Sequence, residues 1–154
     1  MSAKPPYAIR PARAADVARI HATVDAAYAK YIARIGKKPG PMLDDYAARV
    51  AEGAAWVLEA DGRIAGVVVL LPEDDHVLLD NVAVDPAFAG HGFGRALIDF
   101  AEAETRRRGF GEVRLYTHEK MTENIAMYPR MGYEETHRGE QAGYSRVFMR
   151  KKLA

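Results

Sequence analysis

Apolar residues recur along this chain with two periods, and the switches between them mark its elements. "YAIRPAR" reads as a short first strand. Val17, Ile20, Val24, Ala27, Tyr28, Tyr31 and Ile32 then fall at helical spacing, so a helix is predicted from Ala14 to its stop at Gly36. Asp16 stands near its start, where an acidic side chain favours the exposed amides. "GKKPGP" reads as a loop, and "MLDDYAARVAEG" as a second helix stopped by Gly53. Three apolar runs follow: "AAWVLEA", "RIAGVVVLLP" and "HVLLDNVAVD". Asp61-Gly62 and the acidic turn "PEDD" separate them, which predicts an antiparallel meander. Helical spacing returns in "RALIDFAEAETRRRG", which ends at Gly109. "EVRLYTH" reads as a fifth strand, "TENIAMYPRMG" as a short helix ending at Gly132, and "YEETHRG" and "YSRVFMRKK" as the last two strands. The order is β-α-α-β-β-β-α-β-α-β-β, a mixed α/β (α+β) fold. Strands four and five, joined through a helix, are expected to be parallel.

Composition narrows the function. A chain of 154 residues suits one domain, 1–154, with a sizeable core. Twenty-two basic and 21 acidic residues leave a net charge of +1. That balance points to no nucleic acid and no acidic membrane as partner. With no cysteine, disulfides, thiolate metal sites and a cysteine nucleophile are excluded. The five histidines, His21, His76, His91, His118 and His137, show no metal spacing, and no metal is expected. The longest apolar run, Ile64 to Leu71, is far short of the ~20 residues that span a bilayer. No leader-like run opens the chain, so a cytoplasmic protein is expected. "TRRRG" at 105–109 reads as a solvated helix end, and Trp56 as a core residue.

The stretch Ala83 to Leu97, "AVDPAFAGHGFGRAL", departs from both periods. It places Gly90, Gly92 and Gly94 between a strand and a helix. Each glycine in an ordered element costs roughly 0.5–1 kcal/mol relative to alanine. Glycines at a helix entry clear the way to unpaired amides and the positive dipole end, a natural phosphate site. The P-loop pattern is absent, and Leu97 stands where a dinucleotide fingerprint needs its third glycine. A glycine-rich helix entry without a ligand is the competing reading.

The stretch resembles the pyrophosphate loop of the GCN5-related N-acetyltransferases, the GNAT family. The family's R/Q-x-x-G-x-G/A element aligns with Ala89-Gly90-His91-Gly92-Phe93-Gly94, "NVAVDP" with its fourth strand and "RALIDFAE" with its third helix. Ala89 stands where the family carries Arg or Gln. "MTENIAMYPRMGY" is similar to the family's motif B through Tyr128, Gly132 and Tyr133. Asn124, four residues before Tyr128, is expected on the same helix face. In many relatives the Asn lies further upstream, at the position of Met121.

The resemblance implies a seven-stranded mixed sheet with about four helices, whose strands four and five splay apart. It also implies acetyl transfer from acetyl-CoA to an amine by direct attack, with CoA as product. Cofactor contacts are then expected from Val82, Ala83 and Val84, from the loop Ala89 to Arg95, and from Asn124 and Tyr128. The N–H of Val84 becomes the oxyanion donor and Tyr128 the general acid. Asp80 alternates with Val82 and Val84, so it shares their face and is the first candidate base. His118 and Glu119 are weaker candidates, and each of the three is equally readable as a solvated strand-end residue.

The acceptor region of the family maps onto "YAKYIARIGKKPGPMLDDY" and "HRGEQAGY". Tyr28, Tyr31, Asp44, Asp45 and Tyr46 of the first are positioned to receive a cationic amine or to form an ordinary helix surface. A small-molecule amine is the expected acceptor. A protein N-terminus or lysine, a non-catalytic acyl-CoA sensor, and a binder of another nucleotide are the alternatives. A homodimer is left open.

Overall fold

The structure, a computed structural model, describes residues 5–154. Seven strands and four helices follow the expected order. They are β1 (Tyr7–Pro11), α1 (Val17–Ile35), α2 (Tyr46–Ala51), β2 (Ala55–Ala60), β3 (Arg63–Pro72), β4 (Val77–Val84), α3 (Phe93–Arg107), β5 (Glu112–His118), α4 (Thr122–Arg130), β6 (Glu134–Gln141) and β7 (Tyr144–Lys152). The sheet order is β1-β2-β3-β4-β5-β7-β6. Backbone contacts divide the chain into two compact units. The first holds the residues up to Leu70 with Asn81–Ala101, the second Leu71–Asp80 with Glu102–Ala154.

In the first unit β2 pairs antiparallel with β1 and with β3. The turn between β2 and β3 is the expected Asp61-Gly62, and both residues have positive φ, 53° and 70°. That backbone matches the twist of the strands it joins. The core gathers Ile20 and Val24 of α1, Val57 and Leu58 of β2, Val67 and Val68 of β3, and Leu97 and Ile98 of α3, all essentially buried. Trp56 is buried too, with its ring 5.6 Å from Phe100. At Gly66 a Cβ would lie 2.9 Å from a Leu97 methyl and 3.1 Å from the Ala83 carbonyl oxygen. Glycine there lets α3 and β4 close on β3.

Two local expectations need correction. Asp16 ends a 3-10 turn, Ala14–Asp16, ahead of α1 and makes no side-chain cap to that helix. Its carboxylate accepts from the Arg13 N–H at 2.7 Å and from the Arg10 guanidinium at 2.8 and 3.1 Å. The guanidinium bonds hold that carboxyl below the usual carboxylate range. The second helix is shorter than 42–53. Gly40–Leu43 forms a 3-10 turn behind Pro39, and α2 starts only after Asp45, whose carboxylate accepts from Ala48 N–H at 3.1 Å. The extended backbone of Asp44 and Asp45 and the Asp45 cap override the apolar spacing.

Thr23 lies fully buried on α1, and its hydroxyl has no hydrogen-bond partner among the described residues. A buried donor left unmade costs about 1–3 kcal/mol. Thr23→Val keeps the shape and removes the donor. It is expected to stabilise the chain by about 1 kcal/mol, which for this size raises Tm by roughly 2–4 °C in a thermal melt. A lower Tm would show that the hydroxyl is satisfied in solution.

In the second unit β4 and β5 are parallel, with Val77, Leu78 and Leu79 in register with Val113, Arg114 and Leu115. β7 pairs antiparallel with both β5 and β6. Val77, Leu79, Val113, Leu115, Val147 and Met149 supply the buried face. The basic run at the end of α3 is partly neutralised. Arg107 and Arg108 both bond to Glu104, at 2.6 and 3.4 Å, and Arg107 keeps that buried carboxyl below its ordinary range. Among the described residues no helix is long and apolar enough to cross a membrane.

Candidate active site

The glycine stretch lies wholly in the first unit. β4 ends at Val84, and the Asp85 N–H donates to the Ala65 carbonyl at 2.8 Å. The Asp85 carboxylate accepts from Ala87 N–H at 2.9 Å and pairs with Arg19 at 3.1 Å, which anchors a 3-10 turn, Pro86–Phe88. The chain then turns through Gly90 (φ 84°) and Gly92 (φ 75°), the left-handed region that side chains disfavour. The first helical bond of α3 runs from Ala96 N–H to the Gly92 carbonyl at 3.0 Å. The amides from Gly92 to Arg95 precede any intrahelical acceptor. Ala89, Gly90, Gly92 and Arg95 are exposed and His91 and Gly94 half-buried.

Gly94 differs from its neighbours. A Cβ there would meet the Val84 Cγ2 at 3.8 Å, an ordinary contact. The space around that position therefore admits a side chain. Phe93 was expected at the cofactor. Its side chain is buried against Phe88, Tyr7 and His91, with ring centroids 6.2, 5.3 and 5.6 Å away. Only its backbone is available at the loop.

β4 alternates in burial from Val77 to Val84. Asp80, Val82 and Val84 share the half-exposed face, as expected, and Asn81 and Ala83 the buried one. The N–H of Asp85, next after β4, bonds the Ala65 carbonyl of β3. Strand alternation therefore turns the N–H and C=O groups of Val82 and Val84 to the opposite edge. The Tyr28 hydroxyl reaches the Val82 carbonyl there at 3.1 Å.

The remaining predicted residues belong to the second unit. Asp80 accepts from the Tyr116 hydroxyl at 3.3 Å. The Arg146 guanidinium lies 4.0 Å from the centre of the Tyr116 ring. Tyr116 also lines a cavity of about 480 Å³ together with Leu78, Arg114, His137, Phe148 and Arg150. Tyr128 is buried on α4, edge-on to Tyr133 at 5.7 Å, and its carbonyl accepts from the Tyr133 N–H at 3.2 Å. The Tyr133 hydroxyl donates to buried Glu102 at 3.0 Å, and Lys151 holds the other carboxylate oxygen at 2.8 Å. Asn124 is four residues ahead on the same helix, its amide 3.4 Å from Thr117 Oγ1 and 3.7 Å from Met121 Sδ. His118 accepts from Lys120 N–H at its Nδ1, and Glu119 is exposed.

The aromatic and acidic candidates for amine recognition are placed differently from the expectation. Tyr28, Tyr31 and Tyr46 are buried, Asp44 bonds Arg49 at 3.0 Å, and Asp45 caps α2. Asn81, which periodicity alone had passed over, joins Tyr28 and Tyr46 in one buried network.

Comparison with known proteins bears on the family and the fold. The N-acetyltransferase family 8 member 3 of Rattus norvegicus is 31% identical over 87 residues, 53% of this chain and 38% of that protein. The ribosomal protein bS18 alanine N-acetyltransferase of Escherichia coli K12 is 31% identical over 78 residues, 51% of this chain and 53% of that one. The chain thus spans about half or less of the length of these curated relatives. The crystal structure of the PaiA N-acetyltransferase of Thermoplasma acidophilum, in complex with coenzyme A, superposes with a TM-score of 0.81 at 16% identity, over 96% of this chain and 99% of that one. The acetyltransferase (GNAT) family model matches residues 20–133. This chain belongs to the GNAT acetyltransferase family.

Proposed function

We propose that this chain is an acetyl-CoA-dependent N-acetyltransferase, one domain over 1–154, that acts on a primary amine of a small molecule. The observation that carries the reading is the exposed glycine entry to α3, where Gly94 has no packing reason to lack a side chain. The amides of Gly92 to Arg95 would hold the pyrophosphate, and backbone donors do this without the Arg or Gln that Ala89 replaces. The Val84 N–H polarises the thioester carbonyl. The acceptor nitrogen attacks that carbon, the C–S bond breaks, and Tyr128 gives its proton to the departing sulfur. Asp80 takes the proton that the amine loses, and solvent restores Tyr128.

A small amine is favoured because Asp44 and Asp45, the acids of the α1–α2 segment, are already engaged within that segment. N-terminal acetylation of a protein is the second reading, supported by the identity to the bS18 alanine acetyltransferase. Calorimetric titration with acetyl-CoA, CoA, ATP and NAD tests the donor. Acetyl-CoA and CoA are expected to bind in the micromolar range, about −8 kcal/mol, and ATP and NAD at least tenfold more weakly. Heat from ATP or NAD alone would overturn the assignment.

A further inference from the structure

We propose that Asn81 is a positioning residue that, with Tyr28 and Tyr46, fastens the segment Pro41–Asp45 to the Val82–Val84 stretch of β4. Acetyl-CoA held along that strand edge then orders the segment expected to receive the acceptor. The inference rests on the acetyltransferase reading.

Asn81 is 4% exposed, between buried Leu79 and Ala83 on the inner face of β4. An apolar residue would suit that face, and a buried amide is costly unless it is fully bonded. Here both ends of the amide are used. Its Oδ1 accepts from the Tyr28 hydroxyl at 2.7 Å, and its Nδ2 donates to the Tyr46 hydroxyl oxygen at 2.9 Å. The Tyr46 hydroxyl donates in turn to the Pro41 carbonyl at 2.6 Å. The Tyr46 hydrogen goes to the Pro41 carbonyl, so the Tyr46 oxygen accepts from the amide, and this assigns Nδ2 to Tyr46 and Oδ1 to the Tyr28 hydroxyl.

The network joins places far apart in sequence. Tyr28 lies mid-way along α1 and Pro41 in the 3-10 turn after it. Tyr46 opens α2, and Asn81 belongs to β4. The Tyr28 oxygen is also 3.1 Å from the Val82 carbonyl, on the strand edge opposite β3. A shift of that edge moves Tyr28 and Asn81, and through Tyr46 it moves Pro41. Buried polar chains of this kind fix one arrangement more sharply than apolar packing does. Coupling is reciprocal, so a ligand at the edge and order in the segment favour each other.

Hydrogen exchange of the full chain tests this without knowledge of the acceptor, with acetyl-CoA as probe and calorimetry setting saturation. In the native chain, exchange of the Met42–Asp45 amides is expected to slow by at least about threefold on saturation. In Tyr46→Phe, which keeps the ring, acetyl-CoA still binds and that response is lost. An unchanged rate at saturation in the native chain overturns the proposal, as does a full response in Tyr46→Phe. The native arm decides the matter alone should the variant not fold. Failure of acetyl-CoA to bind at all is a different result: calorimetry then rejects the acetyltransferase reading, and the coupling falls with it.

Discussion

Tyr128→Phe is expected to lower turnover by at least about a hundredfold and to leave the acetyl-CoA Kd within about threefold, since a positioned general acid supplies roughly 10²–10⁴ in rate. The surroundings of Tyr128 make this substitution informative. Its ring is held edge-on by Tyr133, whose N–H bonds the Tyr128 carbonyl and whose hydroxyl is fixed on Glu102. Lys151 fixes Glu102 from the other side. None of these contacts needs the Tyr128 hydroxyl, so phenylalanine retains them. Loss of rate with intact binding therefore reports the proton donor. The measurement is release of free thiol over a panel of amines at saturating acetyl-CoA, with calorimetry alongside. Equal turnover in the two proteins would remove Tyr128 from the chemistry. Binding without turnover in either, over the whole panel, would favour the acyl-CoA sensor.

Those parts of the fold set by short-range rules were legible in the sequence. β5 falls on "EVRLYTH" residue for residue, because alternation and the preceding glycines, Gly109 and Gly111, act locally. The Asp61-Gly62 turn was equally readable, since its two positive φ values belong to those residue types. Alternation also put Asp80 on the face of Val82 and Val84. The second helix was overestimated because Met42 and Leu43 continue its apolar spacing while sitting in a 3-10 turn, Leu43 64% exposed. Long-range polar partners left no such trace. The bonds from Asn81 to Tyr28 and Tyr46 cross 53 and 35 positions. Spacing alone gives Tyr28, Tyr31 and Tyr46 as aromatics but not which way they point. The sequence leaves them between meeting an amine and forming an ordinary helix surface, and the structure buries all three. Arg10 and Asp16 illustrate the same limit at short range, since the carboxylate prefers a bidentate guanidinium to helix amides.

The paired glycines separate a loop made for the fold from one made for a ligand, because Gly92 and Gly94 respond with opposite signs. Gly92 has φ 75°, where a side chain costs about 1–2 kcal/mol. Gly92→Ala is therefore expected to lower Tm and to weaken acetyl-CoA binding together. Gly94 is the second residue of α3, and its added Cβ would meet Val84 at an ordinary 3.8 Å. Alanine is the better helix former by up to about 1 kcal/mol. Gly94→Ala is accordingly expected to raise Tm by roughly 2–4 °C while weakening acetyl-CoA by about tenfold, or 1.4 kcal/mol. Gly94→Val, with branches at the helix entry, should weaken it by about a hundredfold, or 2.7 kcal/mol. A stabilised Gly94→Ala chain that binds acetyl-CoA as tightly as the native one would mean that no ligand approaches this backbone. A destabilised one would mean that the glycine serves packing after all. Only a gain in stability joined to a loss of affinity assigns Gly94 to the pyrophosphate, since a glycine kept at the cost of stability must be answering to something outside the chain.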